Sequence, residues 1–151
     1  MIITFCGHAK FHKTEECEQK LLAFLEAKVG ERSADIYLGG YGDFDEFAYI
    51  CCKKYQKTHP NVSLLFITPY MTATYQQNYL RNQKTRYDGI IYPEIETVPP
   101  RFAISKRNQW MVEKADCVAV YIDHDWGGAY ATYQYAKRKG KSIFHLGKIQ
   151  E

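Results

Sequence analysis

Residues 39 to 46 read GGYGDFDE. Gly39, Gly40 and Gly42 let backbone N–H groups approach an anion closely, and the helix expected behind them adds a positive end. With Glu46 four residues on, the stretch resembles a phosphate-binding turn with a catalytic carboxylate. It is equally the pattern of a tight turn and a capping box, Asp43-x-x-Glu46 ahead of an apolar stripe. No GxGxxG, GxxxxGKS or GxxxxGKT occurs, so neither a dinucleotide fingerprint nor a P-loop is supported.

A second candidate is Arg107. On a helical wheel for 102–115, Ala103, Ile104, Trp110, Met111 and Ala115 define the apolar face, and Arg107 falls near its middle. A guanidinium there needs a partner, because unpaired buried charge is costly. Strand-end carbonyls or an internal carboxylate fit, and so does a phosphate gripped by the planar fork. Asn108 beside it would hydrogen-bond a ligand or water. Cys6, His8, His12 and Cys17 are of metal-ligand type, but their spacing matches no standard zinc pattern, so no metal is expected and no cofactor is implied.

Short apolar runs must position these groups. IITFC (2–6), DIYL (35–38), VSLLFI (62–67), CVAVYI (117–122) and SIFHL (142–146) are mostly continuous, as in strands covered on both faces. Between the first two, Cys17, Leu21, Phe24, Leu25 and Lys28 share one helical stripe, with Thr14 as a cap and Gly30 as a stop. From 44 to 58, Phe44, Phe47, Ala48, Cys51 and Tyr55 recur at helical spacing. Further helices are expected at 72–84, 101–115 and 128–139, with a short strand in RYDGIIY. Adjacent Cys51 and Cys52 are expected one buried and one not, and His145 in the core. The alternation predicts an α/β Rossmann-like three-layer sandwich, with a mostly parallel sheet of five to six strands and helices on both faces.

Ligands of such sheets bind outside the carboxyl ends of the strands. The four strand ends offer Cys6-Gly7-His8, the GGYGDFDE turn, Thr68-Pro69-Tyr70, and Asp123-His124-Asp125-Trp126-Gly127-Gly128. Small, polar or turn-forming residues occupy all four, which predicts a ligand crevice.

The 151 residues are read as one domain, long enough to bury about 68–70% of the unfolded chain's surface. The net charge is +3, and the basic residues are scattered apart from KRKGK at 137–141, which argues against nucleic acid as a partner. Five cysteines and an amino terminus without a signal-peptide pattern suggest a reducing cytoplasm. No apolar run approaches membrane-spanning length, so no membrane partner is expected. Of thirteen tyrosines, Tyr70, Tyr75, Tyr79, Tyr87 and Tyr92 crowd one polar stretch, suited to stacking on a base, to a partly buried surface or to a subunit interface.

Residues 107–144 resemble the C-terminal half of the SLOG superfamily, the Rossmann-like nucleotide-binding proteins named for the DNA-processing Smf proteins and the Lonely-Guy cytokinin-activating enzymes. The likeness lies in Arg107-Asn108, Met111, Ala115-Asp116 before a strand, Gly127-Gly128 opening a helix and the closing Gly140-Lys141-Ser142-Ile143 strand. With GHAK after the first strand and GGYGDFDEFA after the second it spans most of the chain, and it is nearest to the small uncharacterised bacterial members. In Lonely-Guy enzymes an Arg and the Glu of a PGGYGTxxE turn hydrolyse a ribose–base bond. Arg107 matches that Arg. Glu46 lies in a related turn, but that turn lacks the Pro and Thr and follows the second strand rather than the late one. The late turn, WGGAYATYQYAKRKG, has no acid; the nucleoside deoxyribosyltransferases also place their Glu there. Glu46 would then serve from another strand end opening on the same crevice, or Asp45, Asp123 or Asp125 would substitute.

The resemblance therefore implies a sensor or signalling module that binds a nucleotide or nucleotide-derived small molecule. Gly39, Gly40 and Gly42 would hold one phosphate or ribose, with Asp45 beside them. Gly127, Gly128 and Thr132 would hold a phosphate at the second helix start, Arg107 and Asn108 would neutralise and orient, and Gly7 would allow close approach beside His8. Thr68 and Asp123 line the same crevice, and Tyr70 would cover the base. The alternative is a nucleotide N-glycosidase using Glu46 and Arg107. Apolar, aromatic helices permit a homodimer.

Overall fold

The computed structural model describes residues 1–147. Six strands form one sheet: β1 (Ile2–Gly7), β2 (Ala34–Leu38), β3 (Val62–Ile67), β4 (Gly89–Ile91), β5 (Cys117–Tyr121) and β6 (Ser142–His145), in the order β4-β3-β2-β1-β5-β6. Every neighbouring pair is parallel. The continuous apolar runs follow from this arrangement, because both faces of the inner strands are covered.

Helices α1 (Glu15–Lys28) and α2 (Asp43–Gln56) cover one face. Their stripes, Cys17, Leu21, Phe24 and Leu25 with Phe44, Phe47, Ala48, Cys51 and Tyr55, join Ile3, Ile36 and Leu64 in the larger core. The other face carries α5 (Ala103–Lys114) and α6 (Gly128–Arg138), where Val112, Tyr133 and Ala136 pack on Val118, Val120 and Ile122. The sandwich is thus the three-layer Rossmann-like fold expected. Between β3 and β4 the chain forms a broken helix, α3 (Ala73–Tyr75), a π turn (Gln76–Leu80) and α4 (Arg81–Gln83).

Local signals account for most boundaries. Thr14 accepts a hydrogen bond from the Cys17 N–H at 3.1 Å and starts α1. The chain leaves that helix through Gly30 at φ +57°. Three expectations fail. Helix α2 is capped by Gly42, not by an Asp43–Glu46 box, and no side chain bonds its first N–H groups. Cys52 is as buried as Cys51, because α2 lies in the layer and not at its edge. His145, in turn, is exposed: β6 is an edge strand. All five cysteines are free and buried. Among the described residues no helix is long and apolar enough to cross a membrane.

The strand order sets the site. From β1 the chain winds outward through β2, β3 and β4, then crosses to begin again at β5 on the opposite side of β1. Loops leaving β1 and β5 therefore diverge to opposite faces, and a crevice opens between them at the carboxyl ends.

Candidate functional site

A cavity of about 720 Å³ occupies that switch point. Its walls are the loop after β1 (Gly7 to Lys10), the loop after β5 with the start of α6 (Asp123 to Ala129), and the face of α5 that carries Ile104, Arg107 and Met111. Tyr41, Asp45, Asn108 and Thr132 complete it. Of the residues expected from sequence, Gly7, His8, Asp45, Arg107, Asn108, Asp123, Gly127, Gly128 and Thr132 converge here. Gly39, Gly40 and Tyr70 do not. They line a separate pocket of about 230 Å³ together with Tyr75 and Tyr79.

Arg107 is 2% exposed and forms part of the cavity floor. Its Nη1 donates to Ile67 O at 2.6 Å and to Gly39 O at 3.0 Å, and Nε donates to Asn108 Oδ1 at 2.9 Å. Strand-end carbonyls thus hold the guanidinium, the internal alternative among those open in the sequence. Burial lowers its pKa, and the neighbouring Asp45 carboxylate opposes this. Asp45 accepts from the Tyr41 N–H at 2.8 Å. Burial pushes the Asp45 carboxyl up to about 6, against the pull of that N–H and of Arg107. A carboxylic acid with a raised pKa favours folding while protonated, below its unfolded value near 3.9, and the gain is lost as pH rises through about 6. Between pH 4 and 7 the wild type should therefore lose about 2 kcal/mol relative to Asp45→Asn, read from urea melts across that range. Parallel pH curves for the two proteins would refute the assignment.

Glu46 is corrected outright. It lies outside the cavity, 52% exposed, and both its oxygens take the Arg86 Nη2, at 2.7 and 2.9 Å. Arg86 in turn sits 4.1 Å over the Tyr49 ring. The glutamate does not cap the helix and is half of a surface pair. Glu46→Gln is expected to change stability by no more than about 1 kcal/mol, as for exposed pairs generally, in a thermal melt.

The early glycines are closely packed. A Cβ on Gly7 would lie 2.2 Å from Phe44, one on Gly42 2.6 Å from Ala9 Cα, and one on Gly39 3.1 Å from the Arg107 guanidinium carbon. Gly40 adopts φ +63° and its carbonyl accepts from Tyr79 Oη at 3.1 Å. By contrast, nothing lies within 4 Å of a Cβ on Gly127 or Gly128, so the amino end of α6 is open. Thr132 closes that turn by donating to Gly128 O at 3.0 Å. Thr68 bonds the Tyr70 backbone, and Tyr70 Oη donates to Pro100 O, so these two brace loops.

Tyr41, Lys10, His124 and Trp126 stand in the strand-end stretches, but no role for any of them followed from sequence. Trp126 is 68% exposed and Tyr41 62% exposed, both on the cavity rim. Trp126 lies against His124 (ring centroids 4.1 Å apart), which stacks on buried His8 at 3.5 Å. His8 Nε2 accepts from the Asp123 N–H at 3.2 Å, and burial, with His124 next, lowers its pKa. Lys10 adds a cation to the same wall. The ligand-type group considered from sequence dissolves: Cys6 donates to Ala129 O, and Cys17 is in the α1 core.

No family model and no curated protein matches the chain. Solved structures do. DNA processing protein A from Helicobacter pylori, described for its unique single-stranded DNA binding mode, aligns with a TM-score of 0.63 at 16% identity, over 96% of this chain and 64% of that one. DNA processing protein A from Streptococcus pneumoniae aligns with a TM-score of 0.64 at 13% identity, over 95% of this chain and 49% of that one. This chain thus spans about half to two thirds of their length. The likeness establishes a shared Rossmann-like fold. It also overturns the expected nucleotide sensor, its N-glycosidase alternative and the setting aside of nucleic acid, since the solved relatives in fold are DNA-processing proteins and one is described by the single strand it binds.

Proposed function

We propose that this chain is a single SLOG-type domain over 1–151, allied to the small bacterial members and working in the cytoplasm, that binds single-stranded DNA across the mouth of the switch-point cleft. Trp126 carries the proposal. Its ring is 68% exposed at the cleft rim yet already seated on His124, so a base would stack on a platform whose ordering is complete before binding. Tyr41, on the opposite wall, offers a second platform.

The backbone between such bases passes the open amino end of α6, where Gly127 and Gly128 leave the N–H groups unshielded and the helix dipole favours a phosphate. Lys10 supplies an exposed cation, while Arg107 and Asn108 keep the floor positive and polar. The Asp45 carboxylate faces the same space and opposes a phosphate when ionised. The pattern favours a flexible strand over a duplex, because stacking on a rim ring requires an unpaired base face.

Fluorescence anisotropy with labelled oligodeoxythymidine and with a duplex of equal length tests this. Single-strand binding should be the tighter, and its logarithm should fall with log salt at about 0.7 per phosphate neutralised. Equal affinity for both, or no binding at low salt, would overturn it.

A further inference from the structure

From the loops after β1 and β5 we infer that His8, Asp123 and His124 form a site for a divalent first-row transition ion of the zinc type. These three residues are the one group of three possible metal ligands among the described residues, with one ligand atom from each lying within 4.8 Å of the others. They come from two strand ends 115 positions apart that the β1–β5 pairing sets side by side.

The distances suit the chemistry. His8 Nε2 lies 3.4 Å from Asp123 Oδ1, which is about the edge of a tetrahedron with 2.0–2.1 Å bonds to its centre. His124 Nδ1 lies 2.6 Å from the same oxygen and shares a proton with it. The two rings are stacked with planes 16° apart, so an ion displaces that proton and turns the His124 ring out of the stack to aim its in-plane lone pair, while it takes the His8 lone pair from the long 3.2 Å hydrogen bond with the Asp123 N–H. Two imidazoles and a carboxylate select a borderline ion over calcium or magnesium. His8 is buried and Asp123 half exposed, so the set is anchored on the protein side and open on the cleft side. Water fills the remaining coordination positions, as in sites that keep exchangeable ligands. Because His124 also supports Trp126, an ion here is coupled to the position of the rim of the cleft.

Metal binding is read without DNA, so its failure and that of the DNA proposal are separate results. The probe is Co²⁺, followed by its visible absorption, with Zn²⁺ competition. One equivalent should produce bands that Zn²⁺ removes, and each metal should raise the melting temperature of the intact chain. His124→Ala, at a half-buried position, and Asp123→Asn, at an exposed one, both outside the core, should each weaken binding at least about tenfold, whereas His12→Ala leaves it unchanged. Absence of bands at one equivalent, or binding equal in wild type, His124→Ala and Asp123→Asn, overturns the site.

Discussion

Replacing Trp126 by alanine is expected to weaken binding of a single-stranded oligodeoxythymidine about 10- to 100-fold, the loss of one stacked base at ~1–3 kcal/mol. Folding should be unaffected. The ring is 68% exposed, so its removal uncovers little apolar surface and leaves no cavity. Trp126→Phe keeps a π face and should retain most of the affinity. The second tryptophan serves as an internal reference: Trp110 stacks on Tyr37 at 5.7 Å with ring planes 6° apart, well away from the rim. Quenching of tryptophan emission by DNA should therefore vanish in the alanine variant. Unchanged affinity in Trp126→Ala would remove the ring from the interface, and with it the central support for a single-strand site.

Arg107→Ala should produce the largest stability loss of any single change in the cleft, about 4 kcal/mol, seen as a fall of roughly 10 °C in melting temperature. Three costs combine. Ile67 O and Gly39 O lose the donor that satisfies them inside the fold. A large side chain that is 2% exposed leaves a hole under α5. Asp45 loses the cation that offsets its burial, so its carboxyl rises further. Arg107→Lys keeps charge but not the planar fork that spans two carbonyls and Asn108, and it should recover only part of the loss. If Arg107→Ala melts like the wild type, the guanidinium is not the clamp between β2, β3 and α5 that its bonds describe.

Much of the fold was legible because the signals are local. Continuous apolar runs mark the strands, the stripe from Cys17 to Leu25 marks α1, and Thr14 and Gly30 mark its ends. The burial of Arg107 followed from its place on a helical wheel, but its partners did not: both carbonyls lie at strand ends 40 and 68 positions away. The GGYGDFDE turn misled for the same reason. Its Gly42 is packed on Ala9 and its Gly39 on Arg107, and its Phe44 leaves no room for a side chain on Gly7, contacts between segments far apart in the chain. Glu46 found Arg86 across 40 residues.

By itself the sequence determined a parallel α/β sandwich and the polar character of its strand ends, since period, capping and glycine position act over a few residues. Only the tertiary structure decided which ends face one another. Placing β5 beside β1 brings His8 to Asp123 and His124 and raises Trp126 over them. Contact across the switch point depends on strand order, which no local pattern encodes.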